Sequence, residues 1–158
     1  KKIKKKYKKK FSYIYKRFKM KINLKKIHTF EDYEYIRKLR NTSYVRVNSL
    51  NKKIISKNDH KNWIEKHKLN KFFVLKKLKK KIGYIRIDEK NFVSWALEKD
   101  NWGKIKFSEY LKKATNNNQV KYSCIILFDN IRSQIVALKA GFKVYNIKKK
   151  IITFKKKS

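Results

Sequence analysis

The stretch "FVSWALEKDNWGKIKFSEYL", residues 92–111, decides the fold because a strand pattern and a helix pattern meet there at one glycine. "FVSWAL" is a short apolar segment of the kind that forms strands. Beyond Gly103, apolar side chains recur at helical spacing, namely Phe107, Tyr110, Leu111 and Ala114. The next segment, "YSCIILF", is a nearly unbroken apolar run, which predicts a strand buried on both faces. Strand, helix and strand in this order predict a β-α-β unit with two parallel strands.

The start of this helix is a candidate anion site. The first turn of a helix carries N–H groups without partners and the positive end of the helix dipole, and phosphate groups commonly bind there. Gly103 lies where the backbone can approach a phosphate closely, while Lys104 and Lys106 add positive charge beside it. In the alternative interpretation, Gly103 only lets the chain turn.

The flanking sequence predicts the order β-α-α-β-β-β-α-β-α-β-β. "KINLKKIH" alternates as a half-buried strand does, and capping boxes at Thr29 and Ser56 begin two helices. "KFFVLKK" and "KIGYIRID" predict a hairpin, and "FKVYNI" and "KKIITF" predict the last two strands. Before them, a helix capped by Asp129 or Asn130 ends at Gly141. The side chains of this helix that we expect to face inward are Ile131, Ile135 and Leu138.

Length and composition favour one basic domain. The 158 residues suffice for a single core, and the formal net charge of +36 comes from 47 Lys and Arg against 11 Asp and Glu. Such a charge attracts anions. However, the abundance of Lys, Asn, Ile, Phe and Tyr matches A/T-rich codons, so the charge predicts no specific nucleic-acid partner. The single Cys124 excludes an internal disulfide, and with three scattered histidines it forms no predicted metal site.

The first 19 residues carry ten Lys, one Arg and no acid. We interpret residues 1–19 as a basic extension that is disordered or not native, with an anion-binding arm as the alternative. Met20 is then the natural start of a domain spanning residues 20–158. No apolar run approaches the roughly 20 residues of a membrane span, and we expect a cytoplasmic protein.

Three segments resemble the GNAT superfamily of acyl-CoA-dependent N-acetyltransferases. "KKIGYIRI", which contains Gly83, is similar to the third strand of these proteins, and "VSWALEKDNWGKIKFSEYL" is similar to their fourth strand, pyrophosphate loop and following helix. "NIRSQIVALKAGF" is similar to their late helix, in register. The resemblance implies an α/β fold with a mixed, mostly antiparallel central sheet of about seven strands, helices on both faces and one parallel β-α-β unit.

The resemblance also implies acetyl-CoA as co-substrate, bound in a splay between the fourth and fifth strands with its pyrophosphate on loop N–H groups. The residues implied for this cofactor site are Trp95, Leu97, Trp102, Gly103, Lys104, Ile105, Lys106, Phe107, Ser108, Asn130 and Ser133. Ile105 and Phe107 stand where the family has small residues. Either the loop has adjusted to them, with lysines compensating, or coenzyme A binding is weakened or lost.

Acetylation of an amine needs a group that removes a proton from the attacking nitrogen. The candidates are His60, whose ordinary pKa suits the task, and Glu98, which ends the fourth strand in the family layout. Their alternatives are a structural histidine and a solvated loop acid. The family often places an acidic tyrosine on the late helix. The matching position here is Ala137, and the sequence names no substitute acid, although Tyr145 is a nearby candidate.

The segments "RKLRNTSYVR" and "ISKNDHKNWI" resemble a pattern in GNAT enzymes that acetylate nucleotide-linked amino sugars. This resemblance implies a small-molecule amine as substrate, held by Arg40, Asn41, His60 and Trp63. Alternatively, His60 and Trp63 only pack their helix onto the sheet. The other candidate functions are a protein N-acetyltransferase acting on ribosomal or N-terminal amines, and a degenerate GNAT fold that serves as a basic binding module.

Overall fold

The computed structural model describes residues 22–27 and 29–157. Its strands are β1 (Ile22–Lys26), β2 (Lys71–Lys77), β3 (Lys80–Ile87), β4 (Val93–Leu97), β5 (Tyr122–Leu127), β6 (Lys143–Lys148) and β7 (Ile151–Lys156). Its helices are α1 (Phe30–Asn41), α2 (Ser43–Arg46), α3 (Lys57–Lys66), α4 (Phe107–Ala114) and α5 (Ile131–Lys139), with a 3-10 turn at Lys99–Asn101. The element order agrees with the predicted one apart from α2 and the 3-10 turn. The predicted extension and Met20 lie outside the described residues.

The strands form two antiparallel sheets. One has four strands in the order β1-β2-β3-β4, and the other has three in the order β5-β7-β6. They meet at a parallel bridge between Phe92 and Ser123, beside a hydrogen bond of 3.2 Å from the Ser123 N–H to the Asn91 carbonyl. This bridge confirms that the strands flanking α4 are parallel neighbours. Within the described residues their pairing ends there, so β4 and β5 separate beyond it.

Helices cover both faces of the four-stranded sheet, and the two-residue alternation of its strands decides which side chain faces which helices. On one face, Val74 and Tyr84 pack with Ile36 and Leu39 of α1. On the other face, α4 and α5 pack over a second cluster that continues into the three-stranded sheet. Members of that cluster from the two sheets and the two helices include Leu75, Ile85, Phe107, Leu111, Cys124, Ala137 and Phe154. The predicted arrangement of helices on both faces is confirmed.

Gly83 allows β3 and β4 to pair closely. A Cβ atom built on Gly83 would lie 2.7 Å from the Ala96 carbonyl oxygen and 3.0 Å from a Leu97 side-chain carbon. No real Cβ tolerates the first contact, and the obstacle is backbone that cannot rotate away. A side chain at position 83 would therefore push the end of β4 outward, and this end of β4 forms part of the site described below.

Two predictions of burial are wrong. On α5, Ile131, Ile135 and Leu138 remain 56%, 45% and 51% exposed, because this helix approaches the core through the small, fully buried Ala137. On β5, only alternate residues are buried, instead of both faces. The physical reason is that one face of β5 borders open space where β4 turns away, and this open space is one of the cavities described next.

Candidate functional site

A cavity of about 990 Å³ opens between the end of β4, the loop before α4 and the first turns of α4 and α5. The residues predicted for the cofactor that line this cavity are Trp95, Leu97, Trp102, Gly103, Ile105, Lys106, Phe107, Ser108, Asn130 and Ser133. Lys104 lies in the same loop but outside the cavity wall. The fold thus brings together residues from four separate elements that the sequence could group only through a resemblance. We call this space the donor cavity.

Gly103 is required by the backbone conformation rather than by crowding. Its φ is +70°, in the left-handed region that residues with a Cβ seldom adopt, and a Cβ added there would meet nothing within 4 Å. Just before Gly103, the indole N–H of Trp102 donates to the Leu97 carbonyl at 3.1 Å and closes the loop over the 3-10 turn. Gly103 therefore sets the path by which the loop leaves β4 and enters α4.

Ile105 and Phe107 do not fill the cavity as bulky side chains at small-residue positions would. Phe107 is 4% exposed in the core beneath α4, and Ile105 packs against the same cluster. The helix begins at Phe107, so Ile105 lies in the loop instead of the first helical turn. Within the described residues, the backbone N–H groups of Phe107 and Ser108 have no acceptor, and no side chain caps the helix.

The first turn of α5 borders the same cavity in a different state. The Asn130 side chain accepts a hydrogen bond of 3.2 Å from the Ser133 N–H, which is an ordinary N-cap. One donor of this turn is therefore already satisfied by the protein itself. Ile131 and Ile135, which are exposed instead of buried in the core, also form part of the cavity wall.

Glu98 reaches the donor cavity only through Tyr44 of α2. The Tyr44 hydroxyl donates to a Glu98 carboxylate oxygen at 3.0 Å, and Tyr44 lines the cavity while Glu98 does not. The Tyr44 ring stands edge-on to Trp102 with centroids 5.5 Å apart, and the Arg132 guanidinium lies 4.7 Å from the Trp102 centroid. Burial and the nearby Glu98 raise the pKa of Tyr44, so its phenol keeps its proton at neutral pH.

A second cavity of about 490 Å³ lies between α1, α3, β3 and the gap where β4 and β5 separate. His60, Trp63 and Arg40, all predicted for the acceptor, line it. Asn41 does not, because its side chain is occupied by the backbone of Ile55, donating at 2.8 Å and accepting at 2.9 Å. We call this space the acceptor cavity.

Trp63 stands at the centre of the aromatic groups around the acceptor cavity. Its ring is parallel to the His60 imidazole with centroids 6.3 Å apart, and edge-on to Phe72 at 6.0 Å. Burial and the charge of Arg37 lower the pKa of His60, so the buried imidazole is neutral at pH 7. A neutral imidazole can accept a proton, as a general base must.

Two residues of the site escaped sequence reasoning, Tyr44 and Arg86. Tyr44 lies on a four-residue helix, which is too short for periodicity to reveal. Arg86 lines the acceptor cavity from β3, with its guanidinium 5.2 Å from the Trp63 centroid. A signal for Arg86 did exist, because it follows Tyr84 by two residues on the helix-covered face of a strand. Tyr145, predicted as a substitute acid, is 65% exposed on β6 and lines neither cavity.

The donor and acceptor cavities share a wall. The residues that line both are Val45, Asn48, Ser49, Trp95, Asn130 and Ser133. Trp95 lies on β4 just past the bridge to β5, so the two spaces join where the sheets separate. Two ligands bound in these cavities would meet beside the β4 backbone, which is the arrangement that a group transfer requires.

Other kinds of site receive no support from the described residues. Over residues 22–27 and 29–157, no three His, Cys, Asp or Glu side chains come close enough to hold a metal ion. Within the same ranges, none of the helices is both long and apolar enough to cross a bilayer.

Comparison with known proteins identifies the fold but no close relative. No protein-family model and no curated protein match the sequence. The spermidine N-acetyltransferase of Vibrio cholerae, solved with CoA and spermine, superimposes with a TM-score of 0.70 at 15% identity, covering 85% of this chain and 92% of that chain. RimL, a ribosomal L7/L12 alpha-N-protein acetyltransferase solved with coenzyme A, superimposes with a TM-score of 0.68 at 11% identity, covering 85% of this chain and 93% of that chain. The N-acetyltransferase PseH of Campylobacter jejuni, solved with acetyl coenzyme A, superimposes with a TM-score of 0.56 at 20% identity, covering 87% of this chain and 99% of that chain.

The chain has the GNAT fold. At these identities the similarity establishes the architecture alone. The descriptions of the first two proteins name different amines, a polyamine and a ribosomal protein, so what this chain binds must be argued from its own cavities.

Proposed function

We propose that this protein is an N-acetyltransferase that moves an acetyl group from acetyl-CoA to the primary amine of a nucleotide-linked amino sugar. The observation that carries the proposal is the pair of cavities joined at Trp95, one beside an uncapped helix start and one lined by Trp63, His60 and arginine. GNAT neighbours solved with CoA or acetyl coenzyme A support the donor half of this proposal.

The donor cavity fits acetyl-CoA in size and in chemistry. The N–H groups of Phe107 and Ser108 would hold the pyrophosphate at the positive end of α4, with Lys104 and Lys106 nearby. Coenzyme A binding then depends on backbone donors, which the bulky Ile105 and Phe107 leave free. This favours a working donor site over a degenerate GNAT fold that serves only as a basic binding module.

In the reaction, a C–N bond forms between the amine and the acetyl carbon while the C–S bond breaks and the thiolate leaves. His60, neutral and in the acceptor cavity, would take the proton from the amine. The Tyr44 hydroxyl, protonated and in the donor cavity, would supply a proton to the leaving sulfur once its O–H turns away from the Glu98 carboxylate that accepts it in this structure. Ala137 is fully buried, so Tyr44 on α2 would replace the acid that the family often carries on its late helix.

The acceptor cavity favours a nucleotide-linked sugar over the runner-up, a protein amine. Trp63 offers a flat ring on which a sugar or base can stack, and Arg40 offers charge for a diphosphate. A peptide would need an open groove along a strand edge or helix face, whereas this cavity lies among α1, α3 and two strands. A protein amine remains the second candidate because RimL shares the fold.

The proposal is tested in two steps. Acetyl-CoA at about 100 times its dissociation constant should stabilise the protein by roughly 2.7 kcal/mol, measured as a shift in melting temperature. Release of the CoA thiol is then followed with UDP-glucosamine, with a peptide bearing a free N-terminus, and with spermidine. The proposal expects UDP-glucosamine to be the best of the three. A thermal shift with no thiol release from any acceptor would favour a binding module.

The role of His60 has its own signature in the pH profile. Because the pKa of His60 is lowered, activity should persist below the ordinary pKa of about 6.5 and fall only as pH drops through the lowered value. His60→Gln should lower kcat and remove this acid limb, while Lys61→Gln, an exposed neighbour on α3, should change neither. An unchanged limb in His60→Gln would assign the base elsewhere.

A further inference from the structure

Two arginine side chains line the acceptor cavity with donors that the protein does not use. Arg40 donates through Nη2 to the Asn51 carbonyl, but its Nη1 is buried with no partner in the described ranges. Arg86 on β3 has a buried Nε without a partner there as well. The carboxylate of Asp59, which also borders this cavity, accepts instead from the Ser56 hydroxyl at 2.7 Å.

Within residues 22–27 and 29–157, the ion pairs of the protein involve neither arginine. Burial, together with the charges of Arg86 and Arg46, lowers the pKa of Arg40, which shows that the like charges oppose one another. Groups of this kind cost free energy in the unliganded protein because a buried donor without an acceptor loses its hydration. An anion bound between them would reverse that cost.

Arg86 is also held in place. Its guanidinium lies over the Trp63 ring at 5.2 Å from the centroid, and Trp63 is itself packed against His60 and Phe72. A guanidinium stacked on an aromatic ring keeps its plane while its edge donates. The acceptor cavity therefore has a guanidinium group held in place at its wall, and Arg40 approaches the same space from α1.

We propose that Arg86 and Arg40 together bind a phosphoryl group of the acceptor, and that Arg86 is the residue that determines this specificity. The inference rests on the proposed acetyltransferase function and deepens it by assigning the residues that recognise the phosphoryl group of the acceptor. Two guanidinium groups from different elements match the several oxygens and the higher charge of a phosphoryl group, whereas one guanidinium suffices for a carboxylate. Polyamines, which are cations, are repelled from the same cavity.

The native chain can be tested with acceptors that differ only in phosphate content. Glucosamine, glucosamine 1-phosphate and UDP-glucosamine share one amine, and spermine provides a cationic comparison. With acetyl-CoA saturating, kcat/KM from thiol release should rise by about tenfold or more from glucosamine to either phosphorylated form, and spermine should be poorest. UDP alone should compete with the acceptor and leave the apparent KM for acetyl-CoA unchanged.

Variants of Arg86 separate specificity from folding. Arg86→Gln should raise the KM for UDP-glucosamine by about 10- to 100-fold, as expected when a charge-assisted hydrogen bond is lost, with kcat within about threefold. The KM of Arg86→Lys should lie between those of the native protein and Arg86→Gln, because lysine keeps the charge but lacks the planar guanidinium group. Lys61→Gln, exposed on α3, is the charge-matched control and should keep the native KM for both UDP-glucosamine and glucosamine. Because Arg86→Gln loses the contact with the Trp63 ring as well as an unpaired donor, its melting temperature is measured too, and Arg86→Lys, which keeps a cation near that ring, should unfold closer to the native temperature.

Binding of UDP, measured by calorimetry without acetyl-CoA, gives a readout that needs no turnover. The native protein should bind UDP, and Arg86→Gln should bind it at least tenfold more weakly. Equal use of glucosamine and UDP-glucosamine, preference for spermine, or UDP binding unaffected by Arg86→Gln would each overturn this inference while leaving the acetyltransferase intact. Failure of the acetyltransferase itself is distinct, because it would appear as absence of an acetyl-CoA thermal shift or of thiol release.

Discussion

The first turns of α4 and α5 border the same cavity but differ in their side-chain caps and in the charges beside them. At α4 no side chain caps the helix, and the N–H groups of Phe107 and Ser108 are without acceptors in the described part of the chain. At α5 the Asn130 side chain accepts from the Ser133 N–H. The third N–H of α4, from Glu109, donates to the Lys106 carbonyl at 3.0 Å, and the first two N–H groups of α5, from Ile131 and Arg132, have no acceptor in the described residues either. The free donors and the helix dipole are therefore alike, and the difference lies in the charge beside each start, which is Lys104 and Lys106 at α4 but Asp129 and Arg132 at α5.

This difference shows that similarity to the GNAT sequence pattern and suitability for binding an anion are separate properties of a helix start. The α5 start matches the GNAT pattern in register, yet Asp129 places a negative charge beside it. The α4 start departs from that pattern at Ile105 and Phe107, yet Lys104 and Lys106 lie beside it and the Phe107 side chain is buried beneath the helix. Side-chain identity at these two positions is thus a poor guide to anion binding. We infer that the pyrophosphate of acetyl-CoA binds at α4, and that α5 contacts a less charged part.

The largest effect is expected when a negative charge is introduced into the first turn of α4. Ser108→Asp places a carboxylate among the free N–H groups, where it should occupy them and repel phosphate. We expect acetyl-CoA to bind about 10- to 100-fold more weakly, because like charges a few ångströms apart near a protein surface oppose each other by about 4 kcal/mol at most. The melting temperature should rise, since an acid in the first turn stabilises a helix by about 0.3–1 kcal/mol. Calorimetry and thermal unfolding measure the two effects.

Ser108→Asn is the matched control for this variant, because it has nearly the same shape without the charge. It should bind acetyl-CoA within about threefold of the native protein. If Ser108→Asp bound acetyl-CoA as tightly as Ser108→Asn, the pyrophosphate would have to lie away from the α4 start.

Gly103→Ala tests the turn that presents α4 to the cavity. A left-handed conformation costs a residue with a Cβ about 1–2 kcal/mol. Because position 103 has a φ of +70°, this cost would be subtracted from the free energy of unfolding. For a chain of this size the melting temperature should drop by about 2–8 °C. Gly103→Asn should lose less, because asparagine tolerates this conformation. An alanine variant as stable as the native protein would show that the turn takes another path.

The sequence predicted more of the fold than of the candidate site. Periodicity and capping boxes predicted the strand and helix order, since Thr29 and Ser56 do cap their helices. Periodicity could not tell which stripe of α5 is buried, because Ile131 and Ala137 lie on different faces and only the packing partner decides between them. The gap between β4 and β5 depends on where hydrogen bonding stops, which no local pattern encodes.

The acceptor site was predictable in part for a similar reason. His60 and Trp63 share a helix face, and three-residue spacing reveals such a pair. Arg86 joins them from a distant strand, and its importance depends on a missing partner that only the folded cavity shows. Tyr44 lies on a single helical turn, too short for periodicity to detect.

Asn130→Ala removes the cap that distinguishes α5 from α4. Loss of an N-cap side chain costs about 1 kcal/mol, so the melting temperature should fall by about 2–4 °C. Asn130→Asp should keep the cap and the stability. We expect acetyl-CoA affinity to change by less than about threefold in Asn130→Ala, because α5 is not the pyrophosphate site in this proposal. A tenfold loss of affinity without a change in stability would reverse the roles of the two helices.

The smallest expected effect belongs to the lysines that flank the α4 start. Lys106 is 79% exposed and makes only a surface ion pair of 3.5 Å with Glu109, and Lys104 is exposed in the loop. Exposed charges interact weakly and are screened over about 10 Å at 0.1 M salt. The double variant that carries both Lys104→Gln and Lys106→Gln should therefore weaken acetyl-CoA binding only about two- to fivefold. The native affinity should fall as salt rises, and the double variant should show a flatter dependence. Lys112→Gln, Lys113→Gln makes the same change of charge at the other end of α4 and is the control. Equal losses from the two double variants would mean that the net charge of the protein, rather than the loop, attracts the donor, whereas a loss confined to the first pair places the phosphates at the start of α4.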